Sequence, residues 1–130
     1  MREFETGAIR DSDDGKFDYE GFLSPLALEA FASYMHKHRI MADGSLRSSD
    51  NWQKGFPLHE LMKSLLRHTM TVWRLHRNWR RPSDGGCEMI DALCGIIFNA
   101  QGYLHQLLRI GFSSGGEHEV KLRNTESRQS

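Results

Sequence analysis

Residues 87–110 read CEMIDALCGIIFNAQGYLHQLLRI, and this stretch decides the fold. At about 100° per residue on a helix, Glu88, Asp91, Gly95, Asn99, Gly102 and Gln106 fall within about 80° of one another. The rest of the circumference carries Met89, Ile90, Leu93, Ile96, Ile97, Phe98, Leu104, Leu107, Leu108 and Ile110. A helix that is apolar on most sides is normally a buried one, so the polar line predicts a buried furrow. Carboxylates facing a core are costly unless they are paired or bound to a metal. The furrow is therefore the strongest pointer to function in the chain.

Upstream of it, Pro57 opens a second helix that runs to about Trp79. Leu58, Leu61, Met62, Leu65, Leu66, Thr69, Val72, Trp73 and His76 form its apolar side at helical spacing, with Glu60, Lys63, Ser64, Arg67, Thr71 and Arg74 opposite. Residues 81–86, with Pro, Ser, Asp and paired Gly, separate the two helices. Farther upstream, Ser24 and Pro25 supply a good N-cap and a good first helical residue. The helix they begin carries Leu28, Phe31, Ala32 and Met35 and fades at 39–41. Residues 42–56 make a long connection of the kind that is usually functional or disordered, and Trp52 argues for function.

Residues 1–16 are polar and lack periodicity, and no segment carries a strand signal. Gly111 is a plausible C-cap after Arg109, and residues 113–130 read as a flexible tail of Gly, Ser and charge. The expectation is an all-α domain over 1–112, with its last two helices antiparallel, followed by that tail.

The chain has 130 residues, enough for one domain but small enough that oligomerisation would help it. Seventeen basic side chains balance seventeen acidic ones, so no global field advertises nucleic acid or an anionic membrane. No apolar run is long enough to span a bilayer and MREFETGAIR has no signal-peptide core, so a cytoplasmic protein with neither membrane nor nucleic-acid partner is expected. Cys87 and Cys94 would stand about 10.5 Å apart on one helix, beyond the ~7 Å reach of a disulfide, and read as buried thiols.

Glu88 and Asp91 are three residues apart on one helical face, so their carboxylates can converge on a cation. Hard oxygen ligands of this kind suit Mg²⁺ or Mn²⁺. An acidic pair at a helix start also compensates the helix dipole, but that role needs no continuing line of Gly95, Asn99, Gly102 and Gln106. A helix seam lined by small residues between subunits is a further structural alternative. An antiparallel pair also warns against placing Glu60 beside Glu88 within one hairpin.

In Asn51-Trp52-Gln53-Lys54-Gly55-Phe56-Pro57, an indole beside a lysine can stack on a base and meet a phosphate, or can simply staple the helix that follows. Arg67-His68 and the later Arg74, Arg77, Arg80 and Arg81 read as a solvated helix face. With Trp73 and Trp79 interleaved they also read as a face for phosphates or nucleic acid, the reading that the balanced charge makes weakest. The scattered histidines read as surface or packing residues. No phosphate-binding glycine loop and no recognisable Ser or Cys nucleophile is present, which leaves metal-assisted attack by water as the most economical chemistry.

Gly7-Ala8-Ile9-Arg10, Gly15-Lys16, Leu23-Ser24-Pro25, Asn51 to Pro57 and Ser64-Leu65-Leu66-Arg67-His68 occur in a telling order. Together, over about residues 7–110, they resemble the phage dATP/dGTP diphosphohydrolase domain, the MazZ branch of the MazG-like all-α nucleoside triphosphate pyrophosphohydrolases. The resemblance implies a MazG-like helical bundle, assembled as a homo-oligomer (dimer or tetramer). It implies hydrolysis of a purine (d)NTP, dGTP or GTP first, to monophosphate and pyrophosphate with Mg²⁺ or Mn²⁺. In that branch the product feeds modified-purine deoxynucleotide synthesis in a phage, within the host cytoplasm.

MazG-like enzymes carry two short acidic pairs on successive helices. Glu88-Met89-Ile90-Asp91 matches the second, while Glu60-Leu61-Met62-Lys63 stands at the first with a lysine in place of its second acid. Glu60, Glu88 and Asp91 are thus the expected catalytic and metal-holding residues, with Glu29 able to replace the missing acid. Lys63, Lys54, Arg67, Arg10 and Lys16 are expected at the phosphates, and Asn51 and Trp52 at the base. The competing expectation is a non-enzymatic helical interaction module whose last helix is an assembly seam.

Overall fold

The computed structural model describes residues 2–82, 88–109 and 111. In chain order it holds strands β1 (Arg2–Glu3) and β2 (Ile9–Arg10), helices α1 (Tyr19–Phe22) and α2 (Pro25–Lys37), a 3₁₀ turn at Asn51–Lys54, and helices α3 (Leu58–His76) and α4 (Met89–Arg109). The chain is mostly helical, as the periodicity predicts. The tail and Cys87 lie outside the described residues.

Local chemistry sets the helix boundaries. Ser24 Oγ accepts from Ala27 N at 3.1 Å with Pro25 as the first residue of α2. The Pro57 carbonyl accepts from Glu60 N and Leu61 N to start α3. That helix stops at His76 rather than Trp79, because Asn78 adopts a left-handed conformation with φ 62°. Asn78 N then donates to Leu75 O and Trp79 N to Arg74 O, the paired closure that satisfies the last carbonyls. The turn sets the Arg77 guanidinium 5.3 Å from both the Trp73 and Trp79 rings.

Two short pairings depart from the expectation of no strands. Arg2–Glu3 pairs antiparallel with Ile9–Arg10 across a turn where Gly7 has φ +83°. Ile40 bridges Leu46 across a tight turn where Gly44 has φ +85°. Both hairpins are too short to show side-chain alternation, and each rests on a glycine at a positive φ.

Helices α3 and α4 pack antiparallel, with Gly95 against His68, Asn99 against Ser64 and Gly102 against Leu61. The polar line on α4 is buried only from Gly95 onward: Gly95, Asn99, Gly102 and Gln106 lie in the interior. Glu88 is exposed and Asp91 half-buried at the helix start, where the protein interior ends. Asn99, 2% exposed, donates through Nδ2 to Ser64 Oγ (3.2 Å) and to Gly95 O (2.8 Å). Gln106 Oε1 accepts from Phe56 N at 2.7 Å. The furrow is thus a seam inside one chain, where glycines admit a neighbouring helix and amides are satisfied.

On α3 the buried line includes Leu58, Leu61 and Leu75, together with the half-buried Ser64 and His68. The expected apolar side is therefore rotated. Met62, Leu66 and Trp73 are exposed instead. On α4, the apolar positions Ile90, Leu93, Ile97, Leu104 and Leu107 are exposed as well. Their spacing, with Ala100, alternates three and four residues, the period of a coiled-coil seam. They lie on the side of α4 away from the glycine line. The fully buried apolar core is small: Leu58, Leu61, Leu75, Ala92 and Cys94. Among the described residues, no helix is long and apolar enough to cross a membrane.

Candidate functional site

A cavity of about 570 Å³ opens between α2, the 39–56 segment and the α3–α4 seam. That is the size of a small-molecule site. Trp52, Phe56 and Phe98 give it aromatic surface, Arg39 and Arg47 give it positive charge, and Asn51, Ser64 and Asn99 give it polar contacts. Among the described residues, no Asp or Glu lines it.

The aromatic wall is built by cross-links between the 3₁₀ turn and α4. His105 packs edge-on against Trp52 with ring centroids 4.9 Å apart, and Phe56 meets Phe98 at 6.2 Å. Arg109 Nη1 donates to Gln53 O at 2.9 Å, tying the end of α4 to the same turn. These contacts hold the Trp52 indole in place before any ligand arrives.

His68 forms part of the opposite wall. Its ring sits so close to Gly95 that a β-carbon there would stand 2.6 Å from Nδ1. Burial, followed by the charges of Arg67 and His38, holds its pKa below the usual 6.5. A neutral imidazole at neutral pH is the result. On α4, burial and the Asp91 charge push the Cys94 thiol up, so it stays protonated.

The expected carboxylates are placed less compactly. Asp91 Oδ1 lies 3.4 Å from Lys37 Nζ, and Lys37 stands between the lining residues His36 and His38. Neither Asp91 nor Lys37 is among the lining residues, so this ion pair does not line the cavity, and Glu88 lies one turn before Asp91. Glu60 pairs with Lys63 at 3.7 Å near the far end of α3. Following the seam register, Asp91 is level with Val72, so Glu60 lies about 18 Å away along the helix. The single chain brings Glu88 and Asp91 onto adjacent turns and keeps Glu60 apart. Among the described residues, no three His, Cys, Asp or Glu side chains are arranged to hold a metal ion. The Glu88–Asp91 pair by itself has the donor set of a Mg²⁺ site, which takes one or two carboxylates and completes its shell with water and phosphate.

Of the expected substrate contacts, Asn51 and Trp52 line the cavity. Arg10, Lys16, Lys54, Lys63 and Arg67 are exposed and are not among its lining residues. Glu29 is also exposed, on α2. Arg39, Arg47, His68 and Phe98 line the cavity without having been singled out by the sequence. One signal for the arginines is present: Asp43-Gly44 between Ile40-Met41 and Leu46 is a hairpin signature that brings flanking residues together. Compared with known proteins, the chain matches no protein-family model, no curated protein and no solved structure.

Proposed function

We propose that this chain is a metal-dependent nucleoside triphosphate diphosphohydrolase, cleaving a purine (d)NTP to monophosphate and pyrophosphate as a homo-oligomer. The observation that carries the reading is the cavity itself, where an aromatic wall and two arginines share one space. A planar base and a polyanion are the two chemistries such a space recognises. The preference for a purine, dGTP or GTP first, and the MazG-like character follow the sequence resemblance.

In this reading Trp52 and Phe98 flank the base, and Asn51 offers an amide to its edge. Glu88 and Asp91 would hold Mg²⁺ or Mn²⁺, which when bound neutralises phosphate charge and lowers the pKa of a coordinated water. Asp91 must exchange its contact with Lys37 for that role. Water attacks the α-phosphorus, the α–β bridging bond breaks, and pyrophosphate departs. Glu60 joins this site only if a second copy supplies it, because its own protomer holds it too far away.

A second reading, a non-enzymatic helical interaction module, is favoured by the exposed coiled-coil spacing on α4. Incubation with each dNTP and rNTP, with Mg²⁺, Mn²⁺ or EDTA, separates the two. The enzyme gives metal-dependent monophosphate plus pyrophosphate, and Glu88→Gln or Asp91→Asn abolishes it while circular dichroism stays helical. Absence of turnover with every nucleotide and both metals, or full activity in both variants, overturns the enzymatic reading.

A further inference from the structure

The 39–47 hairpin has a geometry that the base-side contacts and the carboxylates leave unused. Arg47 N donates to Arg39 O at 2.9 Å, Met41 N to Ser45 O at 2.8 Å and Gly44 N to Met41 O at 2.9 Å. Asp43 closes the tip, accepting from both Ser45 N and Ser45 Oγ through Oδ1. The Arg39 amide is already committed to closing α2 on His36 O, so the hairpin lacks its other backbone bond at this pair. The Arg39 side chain supplies it instead, Nε donating to Arg47 O at 2.7 Å.

That bond constrains the Arg39 guanidinium through Nε, and among the described residues its terminal nitrogens make no hydrogen bond. Arg39 is half-buried, and Arg47 lies beside it across the hairpin. Both line the cavity, and among the described residues neither has a carboxylate within ion-pair distance. The hydroxyls of Ser48 and Ser49 follow directly in the same lining. Arg39 is held by its Nε bond and Arg47 is exposed beside it, and two like charges lining one space without a carboxylate favour a ligand with two negative groups. Their planar forks match phosphate oxygens in pairs.

From this we infer that Arg39 and Arg47 form a clamp for a diphosphate group, taking the terminal β- and γ-phosphates of a nucleotide whose base lies against Trp52. The inference rests on the nucleotide reading for its base end, but the clamp has its own ligand class, inorganic pyrophosphate. A diphosphate gives each guanidinium a phosphate group of its own, which a monophosphate does not offer. The clamp therefore selects triphosphate over monophosphate and retains pyrophosphate after the monophosphate has left.

Isothermal titration of the full chain with inorganic pyrophosphate in EDTA tests this without any turnover. The wild type binds pyrophosphate at least 10-fold more tightly than orthophosphate. Arg47→Gln weakens pyrophosphate binding at least 10-fold, and Arg39→Gln does the same. Arg80→Gln, which removes an exposed charge past the end of α3, changes it less than twofold. Arg47 contributes no side-chain hydrogen bond among the described residues, so its variant remains informative if Arg39→Gln loosens the hairpin. Absence of pyrophosphate binding, or equal losses in Arg47→Gln and Arg80→Gln, overturns the clamp whatever the turnover assay gives. Clamp-dependent binding without hydrolysis of any nucleotide upholds the clamp and removes the enzymatic reading.

Discussion

The imidazole of His68 fills the space in which a β-carbon on residue 95 would stand, 2.6 Å from its Nδ1 and 2.7 Å from its Cε1. The helix–helix distance at this level is therefore set by a missing methyl. Gly102, two turns along the same line, faces Leu61 at an ordinary 3.6 Å. The two glycines look equivalent in sequence and differ in what the neighbouring helix places above them.

Gly95→Ala should cost about 1–3 kcal/mol, because a rigid ring cannot yield as a flexible chain end does. Gly102→Ala should be neutral or stabilising, since it adds helix propensity of up to ~1 kcal/mol and its β-carbon would make only ordinary van der Waals contact with Leu61. Thermal unfolding followed by circular dichroism checks both. A Gly95→Ala protein as stable as the wild type would refute the close packing.

His68 should also make stability depend on pH. Its folded pKa lies below 6.5 because of burial, then Arg67 and His38. On acidification the unfolded chain therefore takes up the proton first, and stability rises with pH across that window. The contribution is complete above about 6.5 and is lost as pH falls through the folded value. Denaturant midpoints should drop between about pH 7 and pH 5.5 in the wild type, and drop less in His68→Gln. Identical slopes in the two proteins would contradict a neutral, buried imidazole.

The outward stripe of α4 should be an association surface. Ile97 is central in it and still 38% exposed, with Ile90 and Leu104 more so. Light scattering should give the wild type at least twice the chain mass of 15.0 kDa. Ile97→Glu should return it to a single chain without loss of helix, because this position faces away from α3. A wild-type monomer at micromolar concentration would leave the stripe as plain solvent-facing surface.

The helices were legible because their signals are local. Ser24 followed by Pro25 marks the start of α2, and the line from Gly95 to Gln106 marks the buried side of α4. The inward side of α3 was not, since apolar periodicity ranks residues by type while the partner's shape decides which face is admitted. Gly95 leaves room for the polar ring of His68, and this rotates Met62 and Leu66 outward. That Glu88 and Asp91 share one face of α4 could be read from spacing alone. The cavity could not, because Arg39, Trp52, His68 and Phe98 come from separate elements, and only the packing of α2 and the hairpin on α4 sets them around one space.

The seam between α3 and α4 also works as a phase lock. Every contact along it depends on the angular position of a residue about the α4 axis. An insertion ahead of Met89 moves the helix as a whole and preserves that phase. One residue inserted after Gly95 turns all later positions by about 100°, taking Asn99, Gly102 and Gln106 off the seam. Bulkier neighbours would then meet Leu61 and the 3₁₀ turn. Length change is thus tolerable outside the helix and forbidden within it, a constraint imposed by rotation more than by the identity of any single side chain.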